Sequence, residues 1–86
     1  MVNKHLIESF GLRIRELREN KKVSQEKLSF STGFHRTYIG MIERGERNIS
    51  LTNMAVFAKV FELNLSELLD FKTINSYKKY ETKIQK

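Results

Sequence analysis

"SQEKLSFSTGFHRTYIGMIERGERNIS", residues 24–50, reads as two short helices on either side of a glycine. Ser24 can cap the first, because its hydroxyl can accept a backbone N–H from the opening turn. Val23 and Leu28 have the spacing of a hydrophobic staple around that cap. Phe34 and Ile39 have the same spacing around His35. Gly33, between the helices, tolerates the left-handed backbone of a helix C-terminus. The second helix therefore spans about residues 36–44, and Gly45 stops it. "ERNIS" is then a loop.

On a helical wheel Arg36, Thr37, Gly40, Met41 and Arg44 share one face. Ile39 and Ile42 fall on the opposite face, with Tyr38 and Glu43 at the margins. The apolar pair should pack inward. The outer face carries a guanidinium at each end, a hydroxyl, a thioether and a residue with no side chain. Such a set suits a helix pressed into the major groove of DNA. Arg can donate two bonds to guanine, Thr and Met can touch base edges or a thymine methyl, and Gly permits close approach. Two short helices joined this way form a helix-turn-helix.

Upstream, Leu6, Ile7, Phe10, Ile14 and Leu17 make one stripe, so a helix runs over about residues 4–20 until "NKKV" breaks it. Downstream, Ser50 caps a fourth helix, expected to bury Leu51, Met54, Ala55, Phe57, Ala58 and Phe61. In "NLSELLDF", Asn64 and Glu67 have capping-box spacing, so a fifth helix follows, to about residue 71. Proline is absent and strand-like alternation is scarce. The expected class is all-α, with five helices in one domain over residues 1–71. The remaining "KTINSYKKYETKIQK", residues 72–86, is either a basic tail or an extra helix. Ile74, Tyr77 and Ile84, with Tyr80 alongside, have weakly amphipathic spacing.

The 86 residues allow one small core, which is marginal enough that association with a second copy would help it. Cysteine is absent, which removes disulfides, thiol catalysis and cysteine-based zinc sites, and fits a reducing cytoplasm. No stretch is apolar enough to span a membrane, and the N-terminus lacks the apolar centre of a signal peptide. The net charge of +6 is unevenly placed. Residues 1–71 hold 11 Lys and Arg against 9 Asp and Glu, whereas residues 72–86 hold 5 Lys against one Glu. A basic balance favours a polyanion, although simple solubility explains it equally well.

The stretch quoted at the outset resembles the helix-turn-helix of phage-repressor-like regulators, the group of the lambda and 434 repressors and Cro. The similarity covers about residues 7–70 and implies a five-helix, lambda-repressor-like DNA-binding domain. Within that group "HRTYIGMIERGERNISL" is most similar to controller proteins of restriction–modification systems. Those are small dimeric regulators that time an endonuclease against its methyltransferase. The resemblance implies a duplex DNA operator, a homodimer and no cofactor. It gives Gln25 a phosphate contact, and Arg36, Thr37 and Met41 the base-reading positions. It gives Arg44, Arg47 and Asn48 the loop that follows the DNA backbone. Arg18 and Glu43 match a largely buried ion pair. Met41 departs from the pattern, since relatives often carry a polar residue there. His35 is a weaker N-cap than the Asp or Thr common at that site.

Plainer readings stand beside these. Arg36 and Thr37 could be ordinary solvated residues. Tyr38 either fills the edge of the core or lends its hydroxyl to a phosphate. Glu26 matches a position where some phage repressors touch the sigma subunit of RNA polymerase, and is equally a favourable first-turn acid. His5 and His35 lack the carboxylate partners of a metal site. No nucleophile, base and orienting group stand together as an enzyme would need. Leu65, Leu68, Leu69 and Phe71 are more apolar residues than one face of a short helix can bury, so a dimer interface is expected there. The tail could extend it through Ile74 and Tyr77. The main functional alternatives are an antitoxin or a phage repressor whose chief partner is another protein.

Overall fold

The structure is a computed structural model and describes residues 4–71. The helical reading of the tail, with Ile74, Tyr77, Tyr80 and Ile84, falls outside the described residues. Five helices follow one another: α1 (Lys4–Lys21), α2 (Gln25–Thr32), α3 (Arg36–Glu43), α4 (Leu51–Val60) and α5 (Leu65–Leu68). Each short helix has a side-chain cap, which matters because helices this brief do not hold themselves in water. Ser24 Oγ accepts from Lys27 N at 3.0 Å, and Ser50 Oγ from Asn53 N at 3.1 Å. His35 caps α3 through its ring, with Nδ1 accepting from Thr37 N at 3.0 Å. Asn64 and Glu67 close a reciprocal capping box on α5. Gly33 ends α2 at φ 82°, in the left-handed region that glycine enters without strain.

These elements meet around Phe10, Ile14, Leu28, Ile39, Ile42, Phe57, Leu68 and Phe71, all buried. Phe57 sits centrally, with the rings of Phe10, Phe34 and Phe61 5.3–6.4 Å away. The crossing of α1 and α3 is unusually tight. A Cβ on Gly11 would strike the Ile42 carbonyl oxygen and lie 2.9 Å from that of Glu43. The glycine therefore sets how deeply α3 sits on α1. Two residues further along α1, Arg13 donates to the carbonyls of Leu68 at 3.0 Å and Glu67 at 2.7 Å. The Glu67 carbonyl also accepts from Asp70 N at 3.2 Å, whereas Arg13 is the donor to the Leu68 carbonyl at the end of this one-turn helix, so Arg13 anchors α5.

Four expectations need correction. Leu51 is 63% exposed and Ala55 is also exposed, because these two, four residues apart, share the side of α4 turned away from the stripe of Met54, Phe57, Ala58 and Phe61 that meets the core. The fifth helix is a single α turn ending at Leu68, not at Phe71. Leu68 and Phe71 are not interface residues, since both are committed to the core at 0% and 3% exposure. Of the expected dimer set only Leu69, 39% exposed, and half-buried Leu65 reach the surface. Gly40 does not face outward either. It is buried against α2, where an added Cβ would come 3.2 Å from Arg44 Nη1 and 3.6 Å from Gln25 Oε1.

Candidate nucleic-acid interface

The capped turn between α2 and α3 leaves a cleft. It is lined by Ser24, Gln25 and Glu26 from the start of α2, by Arg36, Thr37 and Gly40 from α3, and by Arg18 and Arg44. Arg36 and Thr37 are exposed at the first turn of α3, and Met41 is half-buried one turn later. Side by side they present a charge, a hydroxyl and an apolar surface along one helix face.

Beneath that face lies an ionic lock. Arg18 Nε donates to Glu43 Oε2 at 2.7 Å and Arg18 Nη2 to Glu43 Oε1 at 3.1 Å, while Nη1 reaches the Val23 carbonyl at 2.9 Å. The two side chains are only 14% and 4% exposed. Hydrogen bonding to Glu43 holds the Arg18 guanidinium above its ordinary pKa, against the opposing effect of burial. Gln25 Nε2 joins the pair by donating to Glu43 Oε1 at 3.1 Å. One network thus fixes α1, α2 and α3 together. Losing one charge from such a buried pair costs about 3–5 kcal/mol, because the other is stranded. That bond orients the Gln25 amide and uses one of its two N–H donors.

A second group forms on the other flank. The Tyr38 ring meets Phe34 edge-on at 5.2 Å, and the Arg47 guanidinium lies 5.2 Å above the ring centre. Asn53 Nδ2 donates to Tyr38 Oη at 3.0 Å. Asn48 is exposed beside Arg47. Arg44 is held by Glu46 through two bonds, Nε–Oε2 at 3.0 Å and Nη2–Oε1 at 3.2 Å. These bonds hold the Glu46 carboxyl below the ordinary carboxylate range and raise Arg44.

The sequence reading reached Arg36, Thr37, Met41, Gln25, Tyr38, Arg44, Arg47 and Asn48, and all of them lie on or beside this surface. It missed Asn53, Glu46 and Arg13. Asn53 looks like a routine first-turn residue, and nothing in a sequence shows that its amide meets a side chain from another helix. Glu46 stands two residues from Arg44, a spacing that could have suggested the pair. Among the described residues no group of His, Asp and Glu could hold a metal ion, and no helix is long and apolar enough to cross a membrane.

Comparison with known proteins gives a consistent set of likenesses. The helix-turn-helix family matches residues 14–68. The control protein C.BamHI of Bacillus amyloliquefaciens is 47% identical over 68 residues, spanning 78% of this chain and 84% of that protein. The restriction–modification controller C.AhdI of Aeromonas hydrophila superposes with a TM-score of 0.68 at 46% identity, over 73% of this chain and 94% of that one. The controller C.Esp1396I superposes with a TM-score of 0.67 at 30% identity, over 74% of this chain and 87% of that one. It has also been solved in a nucleoprotein complex and with an Arg, a Thr and a Tyr at three successive positions each substituted.

Proposed function

The chain belongs to the helix-turn-helix family, and from that premise we propose a sequence-specific transcription regulator of the restriction–modification controller kind, acting in the cytoplasm on an operator of duplex DNA. It is not an enzyme. The observation that carries the reading is the first turn of α3. There Arg36 and Thr37 stand exposed over a buried Arg18–Glu43–Gln25 lock that fixes the angle of the helix. Arg36, Thr37 and Met41 read base edges. Gln25, Tyr38, Arg44, Arg47 and Asn48 hold the DNA backbone, which supplies affinity without sequence choice. The order Arg36, Thr37, Tyr38 repeats the Arg, Thr and Tyr that were substituted in C.Esp1396I.

One recognition helix reads only a few base pairs. Two copies about a two-fold axis read a palindromic or nearly palindromic site, with half-site centres about 34 Å apart or a multiple of that. Leu69 and Leu65 supply the homodimer contact. Glu26, exposed in the first turn of α2, is where an activating copy would meet the sigma subunit of RNA polymerase. Footprinting on the DNA upstream of the chain's own gene tests the function. A protected, symmetric site bound far more tightly than random duplex is expected. Equal affinity for both would overturn the reading.

A further inference from the structure

We propose that Asn53 is a positioning residue for DNA-backbone binding, acting through Tyr38. It sets the Tyr38 hydroxyl as a hydrogen-bond donor, so that Tyr38 and the Arg47 stacked on its ring form one phosphate clamp. The inference rests on the regulator reading above and adds to it a residue from α4, outside the helix-turn-helix.

The direction of one hydrogen bond sets the Tyr38 hydroxyl. Asn53 Nδ2 donates and Tyr38 Oη accepts, at 3.0 Å. A phenolic O–H lies near the plane of its ring and so has two favoured orientations, one on each side of the C–O bond. The incoming amide occupies one side, which leaves the hydroxyl proton on the other. Tyr38 is then a committed donor, as an anionic phosphate oxygen requires. If the Asn53 carbonyl faced the hydroxyl, the proton would turn inward and be lost to the DNA.

Asn53 can hold this pose because its surroundings are themselves fixed. Its own backbone N–H is tied to Ser50 Oγ at 3.1 Å, the cap of α4. The ring it addresses is wedged edge-on against Phe34, which packs on core residue Phe57. The ring then presents its face to the Arg47 guanidinium at 5.2 Å. Stacking on a π-face orients a guanidinium and leaves its N–H donors free for phosphate. Three elements, α3, the following loop and the first turn of α4, thus place two donors beside each other before DNA arrives. Preorganisation of this kind strengthens binding by removing the ordering cost.

A double-mutant cycle on duplex DNA tests the proposal, read as dissociation constants on the operator and on random sequence. Tyr38→Phe should weaken both DNAs by about fivefold, the loss of one hydrogen bond, and Asn53→Ala by up to about twofold, because the freed hydroxyl then divides between its two orientations. The double variant should be no weaker than Tyr38→Phe alone, because Asn53 acts only through the hydroxyl. Asn53→Asp guards against a folding defect, since it is nearly isosteric and an acid is favoured in a first helical turn. It reverses the polarity of the bond. It should cost more in the parent chain than in the Tyr38→Phe background, where only its charge remains. Losses that multiply in the double variants would overturn the proposal, as would a Tyr38→Phe variant that binds like the parent. Neither result would touch the regulator reading, which fails only if the parent chain does not discriminate its operator from random DNA.

Discussion

At the scale of single residues, Arg36 and Glu46 make the sharpest predictions. A bidentate Arg–guanine contact is worth about 1–3 kcal/mol of discrimination. Arg36→Ala should therefore cut operator affinity about 5- to 150-fold and affect random duplex little, as read by competition binding. Equal loss on both DNAs would reduce Arg36 to a phosphate neutraliser. Glu46 is the opposite case. It occupies two donors of Arg44, both groups being exposed, and it sets a carboxylate where the DNA backbone is expected. Glu46→Gln should tighten binding to every sequence and make the logarithmic salt dependence steeper, by up to about one unit. Acid should imitate it. A carboxyl depressed in the folded state gives its pairing contribution above the unfolded pKa and loses it as pH falls through the folded value. The released Arg44 should thus appear only well below neutrality. Faces were legible in part: helical period puts Arg36 and Thr37 outward, where they are, but it also puts Gly40 outward, where α2 covers it. Partners were not. The Asn53–Tyr38 bond joins residues 15 apart on different helices, and no local pattern encodes it.

Among the helices, position depends on two residues whose side chains never approach the proposed DNA surface. Gly11 lets α1 and α3 touch backbone to backbone. Gly11→Ala would gain up to about 1 kcal/mol of helix propensity and lose more through overpacking, about 1–3 kcal/mol. The expected result is a melting temperature lower by several degrees. Operator affinity should fall as well, because α3 must shift outward to clear the methyl. A variant as stable as the parent would show that the crossing relaxes freely. Arg13→Met keeps an apolar stem but strands the carbonyl of Leu68, while that of Glu67 keeps its bond from Asp70 N. It should cost about 1–2 kcal/mol in urea unfolding. The helix boundaries were legible where a side chain or glycine marks them, as at Ser24, Gly33, Ser50 and Asn64. They were less legible where the backbone turns without such a marker. Lys22 at φ 62° and Glu62 at φ 60° hold left-handed positions after α1 and α4 that glycine usually fills. The length of α5 differs from the sequence expectation for a related reason. Apolar spacing continues through Phe71, but Phe71 enters the core from beyond the α turn, as the chain leaves the helix.

The whole molecule raises the question of assembly, and the burial pattern narrows it. By composition alone, Leu65, Leu68, Leu69 and Phe71 are surplus apolar surface. The fold absorbs Leu68 and Phe71 completely, and Arg13 pins the turn that carries them. What remains outside is Leu69 and part of Leu65, with Leu51 exposed at the start of α4. Single exposed apolar residues are ordinary on a monomer and do not by themselves demand a partner. The stronger reason for two copies is informational, since one helix such as α3 cannot select a site among many competing sequences. The two substitutions that were once equivalent on a wheel now have different fates. Leu69→Glu places a charge on the surface, so it should leave circular dichroism unchanged while abolishing the dimer in sedimentation at micromolar concentration, and melting should lose its dependence on protein concentration. Operator binding should then weaken and lose its dependence on site symmetry. Leu68→Glu buries an unpaired carboxylate at a position with no exposure, so it should unfold the subunit outright. A Leu69→Glu chain that still sediments as a dimer would move the interface elsewhere, and exposed Leu51 on the neighbouring helix would be the next position to charge.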